Sequence, residues 1–251
     1  AFGDCGSQKI TVIGHGDSGD VSASNANVVY EYAPGGSSLG EGNLVVPAAK
    51  IPYGGTVIVG LEAEAVGLRP WEDTCAGSCY TIISQIYDPL MIQARDGSYH
   101  PFLAESVLPN ADFTVWTATL RSGVSFSNGT AVSAQTIADM WTIQQGGAAS
   151  AGAISTAKLI NVEATSDLTV EYTLSATNST FASFLANAPI GYVFDPVPAA
   201  DPIAFNDNPI GSGPFILDSR DVDNETVLVR NPDYWLSING RQLPYLDSVA
   251  Y

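Results

Sequence analysis

One serine of the chain lies where it could act as a nucleophile. Ser18 falls in the stretch 16–20 (GDSGD), and His15 directly precedes that stretch. A serine attacks a carbonyl carbon when a histidine accepts its proton and an acidic group orients the histidine on a folded scaffold. The glycines and serines around Ser18 are typical of a loop rather than of such a scaffold. We therefore predict no catalytic residue and no enzyme activity, and keep a secreted hydrolase as an alternative.

The tightest acidic pair from residue 54 onward is Glu62 and Glu64. On a strand, residues two apart share one face, so the two carboxylates would repel each other. We interpret them as solvated positions at the rim of the domain. The chain also lacks a glycine-rich loop that ends in a phosphate-binding lysine.

Cys75 and Cys79 are separated by three small residues. A disulfide between them would close a short loop, for which the chain-entropy model gives a stabilisation of at most about 2 kcal/mol. Its use would therefore be to stiffen the loop. Two free thiols, or half of a metal site, are the alternatives, but His15 and His100 are the chain's two histidines. We predict the disulfide and no metal site.

Cys5 is the third cysteine and lies near the start of the sequence. A lipid attached to it would tether the protein to a membrane, although residues 2–4 (FGD) differ from the small apolar residues that such processing requires. A free thiol is the alternative. No stretch reaches the roughly 18 apolar residues of a membrane span, and no basic region followed by an apolar run opens the sequence.

The composition describes an acidic chain with enough apolar residues for a core. It has 251 residues, 45% of them hydrophobic, and a formal net charge of −17. A phosphate backbone would be repelled by this charge, so we predict no nucleic acid partner. A solvated surface explains the acidity, and attraction of a cationic cargo is the alternative.

The pattern of elements changes near residue 54. Before it, short β-like runs alternate with glycine, serine and asparagine clusters, so 1–53 are predicted to be an N-terminal tail or linker. After it, strand-like and helix-like segments alternate. The predicted strands are 56–61, 114–120, 159–164, 168–174, 225–230 and 247–251. The predicted helices are 79–90, the segment that Ser133 caps, and 180–188. Residues 146–153 are predicted to be a loop, and the prolines from 189 to 209 to mark an extended crossing.

Two phrases about a hundred residues apart, 96–106 (DGSYHPFLAES) and 211–217 (GSGPFIL), are the most informative motifs. Each is a turn that directs a strand, because glycine tolerates positive φ and lets backbone pass close to its neighbours. A third phrase, 230–235 (RNPDYW), follows. Together they resemble the extracellular solute-binding proteins of family 5, the dipeptide, oligopeptide and nickel class that serves ABC importers.

Further phrases carry the resemblance from residue 54 to the end. Residues 54–60 (GGTVIVG) are similar to the family's opening strand, and 113–137 to its strand, turn and helix. Residues 67–70 (GLRP) lie where the family usually has leucine, aspartate and proline, so Arg69 departs from the pattern. In 86–90 (IYDPL), proline replaces the family's glycine.

The resemblance implies an α/β fold, a periplasmic-binding-protein type II lobe with a mixed sheet and an inserted smaller α+β subdomain. The main subdomain of this first lobe would combine 54–87 with 189–251, and 88–188 would be the insertion. In the family, a phrase like 243–249 (LPYLDSV) precedes a second lobe. We therefore expect a truncated chain that lacks this lobe and binds the family's ligands poorly.

The resemblance also implies function. The protein would capture di- or oligopeptides in the periplasm or outside the cell, with no cofactor, for the permease subunits of an ABC transporter. A sugar, a nickel complex or another small solute is the alternative ligand. The export signal would have been removed or not captured.

Proteins of this family bind extended peptides largely through main-chain hydrogen bonds, and in the first lobe the loop after the opening strand faces the ligand cleft. Carried over by position, the predicted ligand-binding residues are Glu72, Asp73, Thr74, Cys75, Ala76, Gly77 and Ser78. The disulfide between Cys75 and Cys79 would stiffen this loop.

Overall fold

The computed structural model describes residues 13–14, 21–22, 51–75, 77–187 and 189–251. The prediction of a tail or linker over 1–53 therefore falls largely outside the described residues. The strands of the described part are β1 Ile13–Gly14, β2 Val21–Ser22, β3 Thr56–Ile58, β4 Met91–Gln93, β5 Tyr99–Pro101, β6 Ala104–Pro109, β7 Val115–Leu120, β8 Leu159–Ala164, β9 Thr169–Leu174, β10 Phe215–Asp221, β11 Glu225–Arg230, β12 Ser237–Ile238, β13 Arg241–Gln242 and β14 Ser248–Ala250. The helices are α1 Gly77–Ile86, α2 Ala134–Gln144, α3 Ala148–Ala157, α4 Phe184–Asn187, α5 Pro196–Ala199 and α6 Pro202–Asp207.

One four-stranded sheet, the main sheet, has the order β10-β11-β14-β3. Its first three strands are antiparallel, whereas β14 and β3 run parallel with Val249 opposite Val57. The sheet is therefore mixed, as predicted. Its strands come from both ends of the region that begins at residue 54.

A second four-stranded sheet, the small sheet, has the order β6-β7-β9-β8 and is antiparallel throughout. Buried and less buried residues alternate along β7 and β9, as a period of two requires when one face meets the core. Helix α2 packs against β8 and β9. Its N-cap is Ser133, whose hydroxyl accepts from the amide of Thr136, and this confirms the predicted start of that helix.

Two interpretations of the connecting segments are wrong. Residues 148–157 form α3 instead of continuing a loop, because alanine has the highest helix propensity and the helix N-terminus docks on another part of the chain. The proline-rich crossing contains α5 and α6, each with proline in its first turn and an aspartate, Asp195 or Asp201, as N-cap. Proline suits this position, since its missing N–H would have had no partner there.

The glycines of 211–217 confirm the expected close approach of backbone. Gly213 donates its N–H to the carbonyl of Ile86 at 2.9 Å. A Cβ on Gly211 or Gly213 would overlap that carbonyl. Strand β10 therefore starts against the end of α1.

Candidate functional site

A cavity of about 430 Å³ lies at the carboxyl ends of the two parallel strands of the main sheet. Its walls are residues 59–65, Ile82 of α1, 223–224, Thr226 and Tyr251. Residue 59 directly follows β3, and Tyr251 directly follows β14. Ligands of open α/β sheets bind outside the carboxyl ends of the strands, and the volume is in the usual range for a small-molecule site. We call this the carboxyl-end cavity.

One wall of the carboxyl-end cavity is backbone that has left the sheet. The last bond to the neighbouring strand runs from the N–H of Val59 to the carbonyl of Ala250, at 2.8 Å. Among the described residues, the main-chain groups of 60–64 find no hydrogen-bond partner. Residues 60 and 62–64 are exposed, so their main-chain groups are open to water or to a ligand.

The carboxyl-end cavity carries negative charge. Glu62, Glu64 and Asp223 line it. Arg220 of β10 places its Nη2 3.6 Å from the Oε1 of Glu64 and donates a hydrogen bond to the carbonyl of Ala65. Of the three carboxylates, Glu64 is thus the one paired with Arg220 among the described residues. Both glutamates are exposed, which agrees with their interpretation as solvated rim positions, and they lie beyond the end of β3 rather than on a strand.

Two further groups have defined positions at the carboxyl-end cavity. Asp223 lies in the turn between β10 and β11 with φ of 65°, in the left-handed region that aspartate tolerates better than most residues. Burial raises the pKa of Tyr251 to about 12, so its hydroxyl stays protonated at neutral pH and can donate a hydrogen bond.

The predicted ligand loop, residues 72–78, follows the cavity wall along the chain and is fastened at several points. Asp73 is buried, and its two oxygens accept from the Nη2 and Nε of Arg69 at 2.6 Å and 3.1 Å. The hydrogen bonds that Arg69 donates to Asp73 raise the pKa of Arg69, while desolvation by burial acts in the opposite direction. The positive charge of Arg69, which departs from the family pattern, is therefore paired with a carboxylate four residues later. Opposite charges at this spacing were the signal that sequence reasoning missed.

Glu72 fastens the same loop to α3. Its Oε2 accepts from the N–H of Ala148 at 3.2 Å, in a helix whose N-cap, Gly147, supplies no side-chain cap. The carbonyl of Trp71 accepts from the N–H groups of Ala149 and Ser150, both at 3.0 Å. These acceptors satisfy donors that a helix N-terminus otherwise leaves unpaired.

The remaining residues of the predicted loop differ in exposure. Thr74 and Gly77 are exposed, Cys75 is half-buried and Ser78 is buried, while Ala76 lies outside the described residues. The sulfur atoms of Cys75 and Cys79 are joined, with Cα atoms 5.3 Å apart. Ligand binding by 72–78 stays a prediction.

A buried carboxylate, Asp88, ties together two of the sequence phrases. It is 2% exposed and accepts from the hydroxyl of Tyr234 at 3.1 Å and from the Nε1 of Trp235 at 2.6 Å. Burial raises the pKa of Asp88 to about 7, although both hydrogen bonds favour the charged form. Residues 86–90 and 230–235 are therefore held together by one buried side chain.

Two searches of the described residues had negative results. No helix in this part of the chain combines the length and the apolar character that crossing a membrane requires. Nor do three or more His, Cys, Asp or Glu side chains gather there in a group able to hold a metal ion.

Comparison with known proteins gives consistent matches. The family model described as "Bacterial extracellular solute-binding proteins, family 5 Middle" matches residues 98–251. The nickel-binding periplasmic protein of Escherichia coli K12 is 30% identical over 162 residues, which cover 61% of this chain and 30% of that protein. The periplasmic oligopeptide-binding protein of Salmonella typhimurium LT2 is 29% identical over 174 residues, 60% of this chain and 31% of that protein.

A solved structure extends the likeness to the fold. The oligopeptide-binding protein of Bacillus subtilis, in complex with a nonapeptide, superposes with a TM-score of 0.69 at 24% identity, over 80% of this chain and 40% of that one. The chain thus spans about a third of the length of the two curated relatives it matches.

Proposed function

This chain belongs to the bacterial extracellular solute-binding proteins of family 5, and we propose that it forms one wall of the ligand cleft of a peptide-binding component of an ABC importer. The observation that carries the proposal is the carboxyl-end cavity, with its unpaired main chain over 60–64. An extended peptide can bind such an edge as an added strand, through main-chain hydrogen bonds. Di- and oligopeptides are therefore the proposed cargo.

The predicted ligand loop is part of the proposal. Residues 72–78 follow the cavity wall along the chain and end in the first residues of α1, and Glu72 and Asp73 use their side chains to hold this segment in place. We infer that the loop contacts ligand through its main chain rather than through these carboxylates. Because the loop is held in place before binding, it would lose less conformational entropy when a peptide binds.

The division into subdomains is also proposed. Residues 54–87 with 189–251 would form the main subdomain, and 88–188 the inserted one. The two sheets support this division, because β3, β10, β11 and β14 all fall in the first set and β6 to β9 in the second.

The proposed setting is the periplasm or the cell exterior, with the permease subunits of the transporter as partners. The curated relatives named above are periplasmic proteins. The family consists of solute-binding proteins, and we propose binding without turnover. A tether through Cys5 is a separate proposal on a residue outside the described part.

A small solute other than a peptide is the second candidate. The nickel-binding relative, 30% identical to this chain, supports it.

Calorimetric titration of the full-length protein tests both candidates. We expect saturable binding of di- or tripeptides and unchanged peptide after prolonged incubation. Binding of a nickel complex or a sugar, without any peptide, would favour the second candidate. Cleavage of the peptide by protein free of contaminating protease would contradict both.

A further inference from the structure

We propose that the disulfide between Cys75 and Cys79 exchanges with low-molecular-weight thiols in the folded protein, and that Cys75 is the sulfur they attack. A thiolate of the small molecule would bond to the Sγ of Cys75 and break the bond to Cys79. The electron pair of that bond would leave with Cys79 as a thiolate, which takes up the proton that the small thiol released. Attack of Cys79 on the mixed disulfide would restore the original bond, so the modification of Cys75 is reversible.

The two sulfurs differ in exposure. Cys79 is 1% exposed and shares the buried face of α1 with Ile82 and Ile83. Cys75 is half-buried and follows Thr74, which is exposed. In thiol–disulfide exchange, access decides which of the two sulfurs an incoming thiolate attacks. The exposures therefore direct the small thiol to Cys75 and make Cys79 the leaving group.

Space and charge around Cys75 permit this approach. Gly77 is exposed, and a Cβ on it would meet no atom within 4 Å. The two carboxylates that precede Cys75 are already engaged, since Asp73 pairs with Arg69 at 2.6 Å and Glu72 caps α3. The first turn of α1 contains no acidic residue, and a helix N-terminus favours a thiolate. An incoming thiolate therefore finds open space and, among the described residues of 72–80, no carboxylate without a partner.

The fold already accommodates a free thiol at Cys79. Its Sγ lies 3.2 Å from the carbonyl oxygen of Gly67, and a thiol is a weak hydrogen-bond donor. The thiol that exchange produces would therefore have an acceptor without any movement of α1. A buried donor without a partner would instead have opposed the opening of the disulfide.

The surrounding fold does not depend on the disulfide. The bond joins residues four positions apart, and so short a ring restricts the unfolded chain little. Contacts to distant residues hold both sides of it. The carbonyl of Trp71 accepts from the N–H of Ala149 at 3.0 Å, and the hydroxyl of Tyr87, directly after α1, donates to the carbonyl of Leu68 at 2.7 Å. Exchange would therefore free Cys75 and its neighbours and leave the first half of the predicted ligand loop fastened.

The test uses glutathione as the small thiol and the full-length protein with Cys5→Ser, which removes the third cysteine of this sequence. Reduced glutathione is added to the folded protein, acid stops the reaction, and free thiols are alkylated in denaturant. Peptide mass spectrometry then locates the glutathionyl group. We expect it on Cys75, with Cys79 alkylated, in at least about tenfold excess over the reverse arrangement.

Two matched variants test the same difference with glutathione disulfide. Cys79→Ser leaves Cys75 as the free thiol, and Cys75→Ser leaves Cys79. In the folded protein we expect Cys75 to be modified at least about tenfold faster than Cys79. In urea the two rates should agree within about twofold, because the difference comes from burial in the folded state.

Hydrogen exchange follows the consequence for the fold. After reaction with glutathione, amide exchange should become faster at 74–77 and stay unchanged in the first turn of α3. Equal modification of the two cysteines in folded protein, a glutathionyl group found mainly on Cys79, or a disulfide that excess glutathione leaves intact until the protein unfolds would each overturn the proposal. Exchange at Cys75 needs no peptide binding, so these results leave the proposed function to its own titration.

Discussion

Protonation of Asp88 should make the stability of this protein depend on pH. Its carboxylate is buried beneath Tyr234 and Trp235, and its pKa in the folded state is about 7, against about 3.9 for an exposed aspartate in the unfolded chain. The folded state therefore binds this proton more tightly. The stabilisation from the bound proton is complete below about pH 4 and is lost as the pH rises through 7.

The magnitude follows from the same two pKa values. At about 1.4 kcal/mol per pH unit, a difference of about three units corresponds to about 4 kcal/mol over the whole range. Between pH 5 and pH 8 the protein should lose about 2 to 3 kcal/mol of its free energy of unfolding from this group. The pKa of about 7 already includes the two hydrogen bonds to Asp88, which favour the carboxylate against burial.

Urea denaturation from pH 5 to pH 8 measures this loss when wild type is compared with Asp88→Asn. Asparagine has the same shape, still accepts a hydrogen bond and does not titrate. Subtracting its free energy of unfolding from that of wild type cancels the titration of other groups. As the pH rises, the free energy of unfolding of wild type should fall by about 2 to 3 kcal/mol relative to that of the variant.

The matched control is Asp139→Asn, which changes the same functional group at an exposed position of α2. Its difference from wild type should vary by less than about 0.5 kcal/mol over the same range. The reasoning is refuted if the Asp88 difference is as flat as that of the control, because a buried carboxylate with a raised pKa cannot be independent of pH.

Three further predictions concern the predicted ligand loop. Asp73→Asn should lower the free energy of unfolding, measured in urea, by about 3 kcal/mol, because the partly buried guanidinium of Arg69 loses its bidentate carboxylate partner. A loss below about 1 kcal/mol would show that water screens the pair. Glu72→Gln should cost about 0.5 to 1 kcal/mol by weakening the cap of α3, and hydrogen exchange should become faster in the first turn of that helix and unchanged in α2. In protein purified without reductant, mass spectrometry after alkylation should find Cys75 and Cys79 unmodified, with both labelled after reduction; labelling of both before reduction would contradict the disulfide.

Local sequence signals predicted much of the secondary structure. Segments rich in strand-forming residues predicted β7 and β9, and the hydroxyl of Ser133 predicted the start of α2. These signals act over a few residues, so neighbours along the chain suffice to interpret them. The glycines at 211 and 213 likewise indicated a close approach, because their conformational freedom belongs to the residue itself.

The elements that sequence reasoning missed depend on partners distant in the chain. The glycine- and alanine-rich segment of α3 is a helix whose N-terminus docks on Trp71 and Glu72, more than seventy residues away. Short helices in isolation are marginal, so tertiary contacts decide such a segment. The prediction of a loop over 146–153 considered only composition.

The sequence by itself determined the family of this protein. The motifs that identify the family are recognised from their residue types and their order along the chain, and neither depends on tertiary contacts. The tertiary structure alone decided where the candidate site lies. It ended β3 at Ile58, brought the turn at 223–224 and Tyr251 against the residues that follow β3, and placed the exposed side chain of Glu62 beside the resulting cavity. The physical reason is that a cavity is formed by segments that only the folded main sheet brings together, and no local pattern records which backbone groups remain unpaired there.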